Sequence, residues 1–268
     1  LSGEEQGLLG GKSLASYAKK KGWEIIGVLN NDMIGNIEGV DGVIDNRSFR
    51  IFSEPFSFNP KYANGLNMRT QGGENDGLSR QLARYVHKTV KKYMPELNPI
   101  MIYRLDRFGR GGHHRPFNDE GFAGIRIMEA HENYIRQHND IRNENGIDYG
   151  DVLSGVNFDY AAKLTSVNAI SLASIASSPK PPNNLKIGGI VEPSVRFRWE
   201  QPNDSSIIGY KIYWRETTSS TWEYSKTIGL VDNYILEGIV IDNFIFGVSS
   251  INSDGYESLV VFPGSTFR

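Results

Sequence analysis

Cysteine is absent from the 268 residues. That removes disulfides, cysteine nucleophiles and thiolate metal ligands from consideration. Also missing is any apolar run near the roughly 18 residues that a membrane-spanning helix needs. Neither sign of charge is in excess: 29 Lys and Arg stand against 31 Asp and Glu, a formal net charge of −2. Nothing in that balance favours nucleic acid or an anionic membrane as partner. Repeats and low-complexity tracts are lacking too. The opening Leu1-Ser2-Gly3-Glu4-Glu5 has no initiator Met, basic n-region or apolar h-region, so the chain is expected to begin inside a domain. Any export signal is expected upstream, for a protein that is secreted, periplasmic or at the cell surface.

What is present is ordinary for a globular protein, with 39% hydrophobic and 22% charged residues. The length suits one or two domains. Residues 8 to 21 predict a helix with a basic last turn, ended by Gly22. The apolar run Trp23 to Leu29 predicts a buried strand that stops at the turn cluster Asn30-Asn31-Asp32. Residues 36 to 75, rich in Gly, Asn and Pro, are expected to be irregular and poor in strands. Leu78, Leu82, Tyr85, Val86 and Val90 have helical spacing and predict a helix over 76–94, with Asp76 or Ser79 as its cap. Strands are expected at Ile100 to Tyr103 and Gly124 to Met128, and a long amphipathic helix over 156–176. Strands alternating with helices indicate an α/β layered domain.

At Ser177-Ser178-Pro179-Lys180-Pro181-Pro182 the composition changes to that of a linker. Beyond it, Val195 to Trp199, Gly209 to Trp214 and Phe244 to Val248 are β-branched and aromatic runs separated by turns. They predict an antiparallel β-sandwich. The expected division is therefore 1–176, a linker at 177–182, and 183–268.

Three segments carry chemistry. In Ser2-Gly3-Glu4-Glu5-Gln6-Gly7 two adjacent carboxylates sit in a glycine-flanked turn before a helix. Alone, such a pair more often serves the helix dipole. Asp32 follows the C-terminal end of a buried strand, where α/β sheets place ligands, though by itself it reads as an Asx turn. His138 is a candidate ligand with Asp140 or a nearby carbonyl to orient its ring; a lone histidine is more often a surface residue. His131-Glu132 does not start a zincin helix, because position 135 is Ile. The run Arg107 to Gly112 does not precede a helix as a P-loop must, so it is read as a loop near the site, from which Arg110 or Arg115 could touch a substrate carboxylate.

Together, Gly3-Glu4-Glu5-x-Gly7-Leu8-x-Gly10, the strand ending in Asn30-x-Asp32-Met33-Ile34-Gly35, Gly112-His113-His114-Arg115-Pro116-Phe117 with Gly121, and Glu132-Asn133-Tyr134 with Gln137-His138 resemble the co-catalytic zinc aminopeptidases. That group's relatives include carboxypeptidases and glutaminyl cyclases. The resemblance implies a mixed sheet flanked by helices, and two zinc ions in a complete domain. It implies Glu4 as general base, Glu5 and His138 as ligands of one zinc, and Asp32 as a ligand of the other. The substrate implied is a peptide or protein, cut at a terminal bond by water that zinc acidifies and Glu4 deprotonates. In the resembled pattern a His and a metal-bridging Asp precede the Glu-Glu pair. Neither is in this sequence, so the chain is expected to be a fragment, inactive by itself. His113 stands where the pattern has Asp, and altered local hydrogen bonding without loss of metal is expected there.

The C-terminal part, with Trp199, Gly209-Tyr210-Lys211-Ile212-Tyr213-Trp214 and Gly247 to Asn252, resembles a fibronectin type III module. Trp199, Tyr210 and Ile212 are expected in its core. Trp214 and Trp222 are expected at its surface, as a contact to carbohydrate or protein, and the sandwich as a whole is expected to contact the cell surface or a polymer. Two other readings stay open at this point. One is a non-catalytic binding or adhesion protein with a degenerate first domain. The other is a single-zinc transferase resembling glutaminyl cyclases.

Overall fold

The computed structural model describes residues 1–56 and 70–267. Part of the segment expected to be irregular, 57–69, lies outside them. The chain divides into two compact units, Leu1–Ser53 with Val86–Ser171, and Glu54–Tyr85 with Leu172–Arg268. This division cuts across the 1–176 segment expected as one domain, for it assigns 54–85 to the unit that holds the sandwich.

In the first unit, α1 spans Leu9–Lys21. Gly22 ends it in the left-handed region at φ 67, its N–H reaching the carbonyls of Ala18 and Lys19, and Lys19, Lys20 and Lys21 oppose the negative end of the helix dipole. Four strands form a mixed sheet, β1 (Val28–Asn31), β2 (Ser48–Phe52), β3 (Asn98–Ile102) and β4 (Gly124–Glu129), in the order β1-β4-β2-β3. β1 runs parallel to β4, β4 antiparallel to β2, and β2 parallel to β3. The first strand is shorter than its apolar run. Its only neighbour among the described residues, β4, begins at Gly124, so Trp23 and Ile26 have no described strand to pair with and stay exposed. β2, in the stretch expected to lack strands, is central: Phe49 and Ile51 are fully buried there.

Helix α2 covers Leu78–Tyr93 and α3 the short run His114–Asp119. A two-stranded hairpin, β5 (Arg142–Glu144) and β6 (Ile147–Tyr149), turns at Asn145-Gly146 with φ of 53 and 80, the pair of positive values that a type I′ turn requires. Helix α4 spans Phe158–Ala176. Asn157 caps it by accepting the Tyr160 N–H at 2.8 Å. The Tyr160 hydroxyl donates to the Ser48 carbonyl at 2.6 Å, fastening α4 to the start of β2.

The second unit is a β-sandwich. One sheet has the order β10 (Tyr224–Ile228), β9 (Ile207–Glu216), β12 (Phe244–Asn252). The other runs β11 (Asn233–Leu236), β8 (Val195–Glu200), β7 (Asn183–Gly188), β13 (Ser265–Thr266). Strand alternation buries Phe197, Trp199, Tyr210, Ile212, Phe246 and Val248 between the sheets. The rings of Trp199 and Tyr210 meet edge to face at 4.9 Å.

Residues 54–85 join this unit through a buried charge cluster. Asp76 receives Arg84 on Oδ1 and Arg215 of β9 on Oδ2, both at 2.7 Å. Its carboxylate is thus taken by side chains and does not cap α2, while Ser79 Oγ accepts the Glu54 N–H at 3.1 Å. Trp222, expected at the surface, is half-buried, with the guanidinium carbons of Arg84 and Arg215 each 5.5 Å from its ring centroid. Trp214 is half-buried as well and stacks on Tyr224. Among the described residues no helix is long and apolar enough to cross a membrane.

Candidate active site

The turn that carries Glu4 and Glu5 is shaped by glycine. Gly3 sits at φ 69, which few side chains tolerate, and a Cβ on Gly10 would lie 2.4 Å from the Ser2 carbonyl oxygen. The backbone can therefore fold back on the start of α1, with Leu9 N–H on Gly3 O at 2.8 Å and Gly10 N–H on Ser2 O at 2.9 Å. Leu8, left-handed at φ 64, hands the turn over to the helix.

Asp32 follows β1 directly. Its side chain meets Arg126, a fully buried residue of β4. Arg126 Nη2 is 3.1 Å from Asp32 Oδ2, and its Nε donates to the Asp32 carbonyl at 2.5 Å. Its Nη1 pairs at 2.6 Å with Oδ1 of Asp106, itself almost wholly buried. Below that pair, His114 Nε2 lies 2.9 Å from the Leu105 carbonyl. A carbonyl can only accept, so Nε2 carries the proton. Burial holds the His114 pKa down and keeps the ring neutral. His113 is also buried, and desolvation lowers its pKa first.

His138 is held by a loop pinned from within, the Asn139 side chain donating to the carbonyls of Tyr134 and Gln137 at 2.9 Å each. The ring does not meet Asp140, whose carbonyl instead accepts from Arg142. Its ionisable neighbour is Glu5, with Nε2 at 3.7 Å from Oε1. His131-Glu132 lies away from metal chemistry: Glu132 takes Arg50 and Arg107, both at 3.0 Å, and His131 pairs with Asp41 at 3.1 Å. The glycine-rich run 109–112 does lead into a helix, α3, against expectation, but that helix has only six residues.

Glu4, Glu5, Asp32 and His138 all line one cavity of about 960 Å³. Burial raises the Glu4 pKa first, the charges of Asp32 and then Glu5 add to it, and Arg126 opposes them. Glu129, the last residue of β4, lines the same cavity, and burial pushes its carboxyl up to about 7. Arg126 and Glu129 were not foreseen from sequence. Their signal was there, since charged residues within the strand Gly-Ile-Arg-Ile-Met-Glu must find partners or shift their ionisation.

The donor chemistry can be tested against zinc. Two ligands about 2.0–2.2 Å from one tetrahedral zinc stand roughly 3.4 Å apart. Glu5 and His138, at 3.7 Å, fit two positions of such a shell. Among the described residues no group of three His, Asp or Glu is arranged to hold a metal. Asp32 is engaged by Arg126.

No family model matches the sequence. A solved aminopeptidase of Aneurinibacillus sp. strain AM-1 aligns over 63% of this chain and 31% of its own, at 12% identity and TM-score 0.39. The fibronectin type III domain of human collagen alpha-1(XX) aligns over 32% of this chain and 82% of its own, at 20% identity and TM-score 0.28. A protein of Pyrenophora tritici-repentis named a probable zinc metalloprotease is 34% identical over 265 residues, 98% of this chain and 61% of that protein. The chain is thus similar along almost its whole length to proteins named probable zinc metalloproteases, and spans between 52% and 61% of theirs.

Proposed function

We propose that this chain is part of a zinc-dependent exopeptidase of the aminopeptidase type, with Glu4 as general base. The observation that carries the reading is the convergence of Glu4, Glu5, Asp32 and His138 on one cavity, with Glu5 and His138 spaced as two ligands of one ion. The name carried by similar proteins supports the same metal. Glu5 and His138 would hold one zinc, and Asp32, turned from Arg126, would serve a second. Zinc, when bound, supplies Lewis acidity, bringing water towards a pKa near 7 and polarising the scissile carbonyl.

The chain's own residues do the rest. Glu4, with its pKa raised by burial and neighbouring acids, is the base suited to take a proton from the attacking water and return it to the leaving amine. Arg126 positions Asp32 from below through both its carbonyl and its carboxylate.

Two measurements test this. Calorimetric zinc titration should show binding that Glu5→Ala and His138→Ala each weaken by more than the roughly 10–100-fold expected for a residue behind the ligands. Glu4→Gln, in the protein carrying its remaining ligands, should keep zinc binding and lose about 10²–10⁴-fold in peptide hydrolysis. A Glu4→Gln protein with an undiminished rate refutes the base. Zinc binding indifferent to Glu5 and His138 refutes the metal site and favours a non-catalytic binding role.

A further inference from the structure

The cavity has a second, basic pole. Besides its acids it is lined by Lys12, Arg110, Arg115 and Arg136. A fifth cation on the wall, Arg107, is already committed, its Nη1 lying 3.0 Å from both Glu132 Oε2 and Gln137 Oε1. Among the described residues the side chains of the other four form no ion pair or hydrogen bond. They come from separate segments: Lys12 from α1, Arg110 and Arg115 from the glycine-rich loop and α3, and Arg136 from the loop that holds His138.

Arg115 passes beside Gly111 and Arg136 beside Gly155, where a Cβ would stand in ordinary van der Waals contact, 3.5 Å from Arg115 Cδ and 3.4 Å from Arg136 Nε. A guanidinium presents a planar fork of donors that matches a carboxylate two bonds at a time.

We infer that these cations receive a carboxylate of the substrate, so that the peptides taken carry an anionic group close to the cleaved bond, either an acidic side chain or a free C-terminus. This rests on the peptidase reading of the same cavity. Asp119 and Asp151 also line it, which makes a preference for cationic peptides the opposing outcome.

The test is binding of short peptides to the full chain, by calorimetry, with and without added zinc chloride. The set has Glu, Gln or Lys at one position, each as free acid and as C-terminal amide. At least one carboxylate should tighten binding about tenfold over its neutral counterpart, as a charge-assisted bond does, and added salt should erode the gain. A Glu effect identifies the side chain as the anion, and an acid-over-amide effect identifies the C-terminus. Arg110→Gln, Arg115→Gln and Arg136→Gln, singly and together, should remove the preference; the first two positions are exposed, so folding should be unaffected. Equal affinities, tighter binding of the Lys peptides, a preference that survives the triple variant, or no binding of any peptide overturns the inference. Absence of any anionic preference in the unsubstituted chain, while zinc binds through Glu5 and His138, sinks this inference alone. Loss of that zinc binding while the preference persists sinks the metal reading alone.

Discussion

Glu129 offers the sharpest perturbation. Glu129 is 2% exposed at the end of β4, and among the described residues the one hydrogen bond to its carboxyl, from the Asn36 N–H, is long at 3.5 Å. Burial dominates and raises its carboxyl to about 7, with Asn36 and then Arg50 opposing. Below an ordinary carboxyl pKa near 4.5, Glu129 is protonated folded or unfolded and contributes nothing to pH dependence. Between there and about 7 the folded protein keeps a proton that the unfolded chain has released, so stability falls as pH rises; above about 7 the cost is constant. At about 1.4 kcal/mol per pKa unit that cost is on the order of 3 kcal/mol.

Glu129→Gln removes the titration while keeping size and an acceptor. It should match the parent protein near an acidic pH of about 4.5 and exceed it by about 2–3 kcal/mol near pH 8. Urea unfolding across that range, followed at resolved signals of Ile127 and Met128 beside it, measures the difference. A carbon-13 titration of the Glu129 carboxyl gives the midpoint directly. Parallel stability profiles for the two proteins, or a midpoint near the ordinary value, would refute the reasoning.

Arg126→Met should destabilise the first unit by about 3–5 kcal/mol, because it leaves Asp106 buried without its 2.6 Å partner, and calorimetric melting should record the loss. Asp76→Ala should cost a similar 3–5 kcal/mol in the second unit, since Arg84 and Arg215 are left buried without the carboxylate they share; denaturant unfolding read by tryptophan fluorescence tests it, and a loss below about 1 kcal/mol counts against the cluster. Trp199→Ala should remove about 3–5 kcal/mol from the sandwich, through lost burial and the contact with Tyr210, measured in the same way. Gly10→Ala should displace the Glu4-Glu5 turn and weaken zinc binding with little change in α1 helicity, since its Cβ would meet the Ser2 carbonyl at 2.4 Å.

Elements whose cause is local were legible in the sequence. The C-terminal end of α1 follows from Gly22 and three lysines, α2 from the spacing of Leu82, Val86 and Val90, and the sandwich strands from alternation around Trp199 and Tyr210. Glu4, Glu5, Asp32 and His138 were legible as candidates because motif order and glycine spacing are carried along the chain. What pairing decides was not. β2 lies in a stretch whose composition argues against strands, and it exists because β3 and β4 supply hydrogen-bond partners on both sides. β1 is short because β4 begins only at Gly124. The Asn145-Gly146 hairpin carried a turn signal but no apolar alternation, since β5 is exposed along its length. The meeting of Glu5 with His138, the hold of Arg126 on Asp32, and the freedom of Arg110, Arg115 and Arg136 where Arg107 is bound are likewise tertiary. Residue type states which charges a chain has; only the packed sheet and its loops determine which of them neutralise one another and which remain for a ligand.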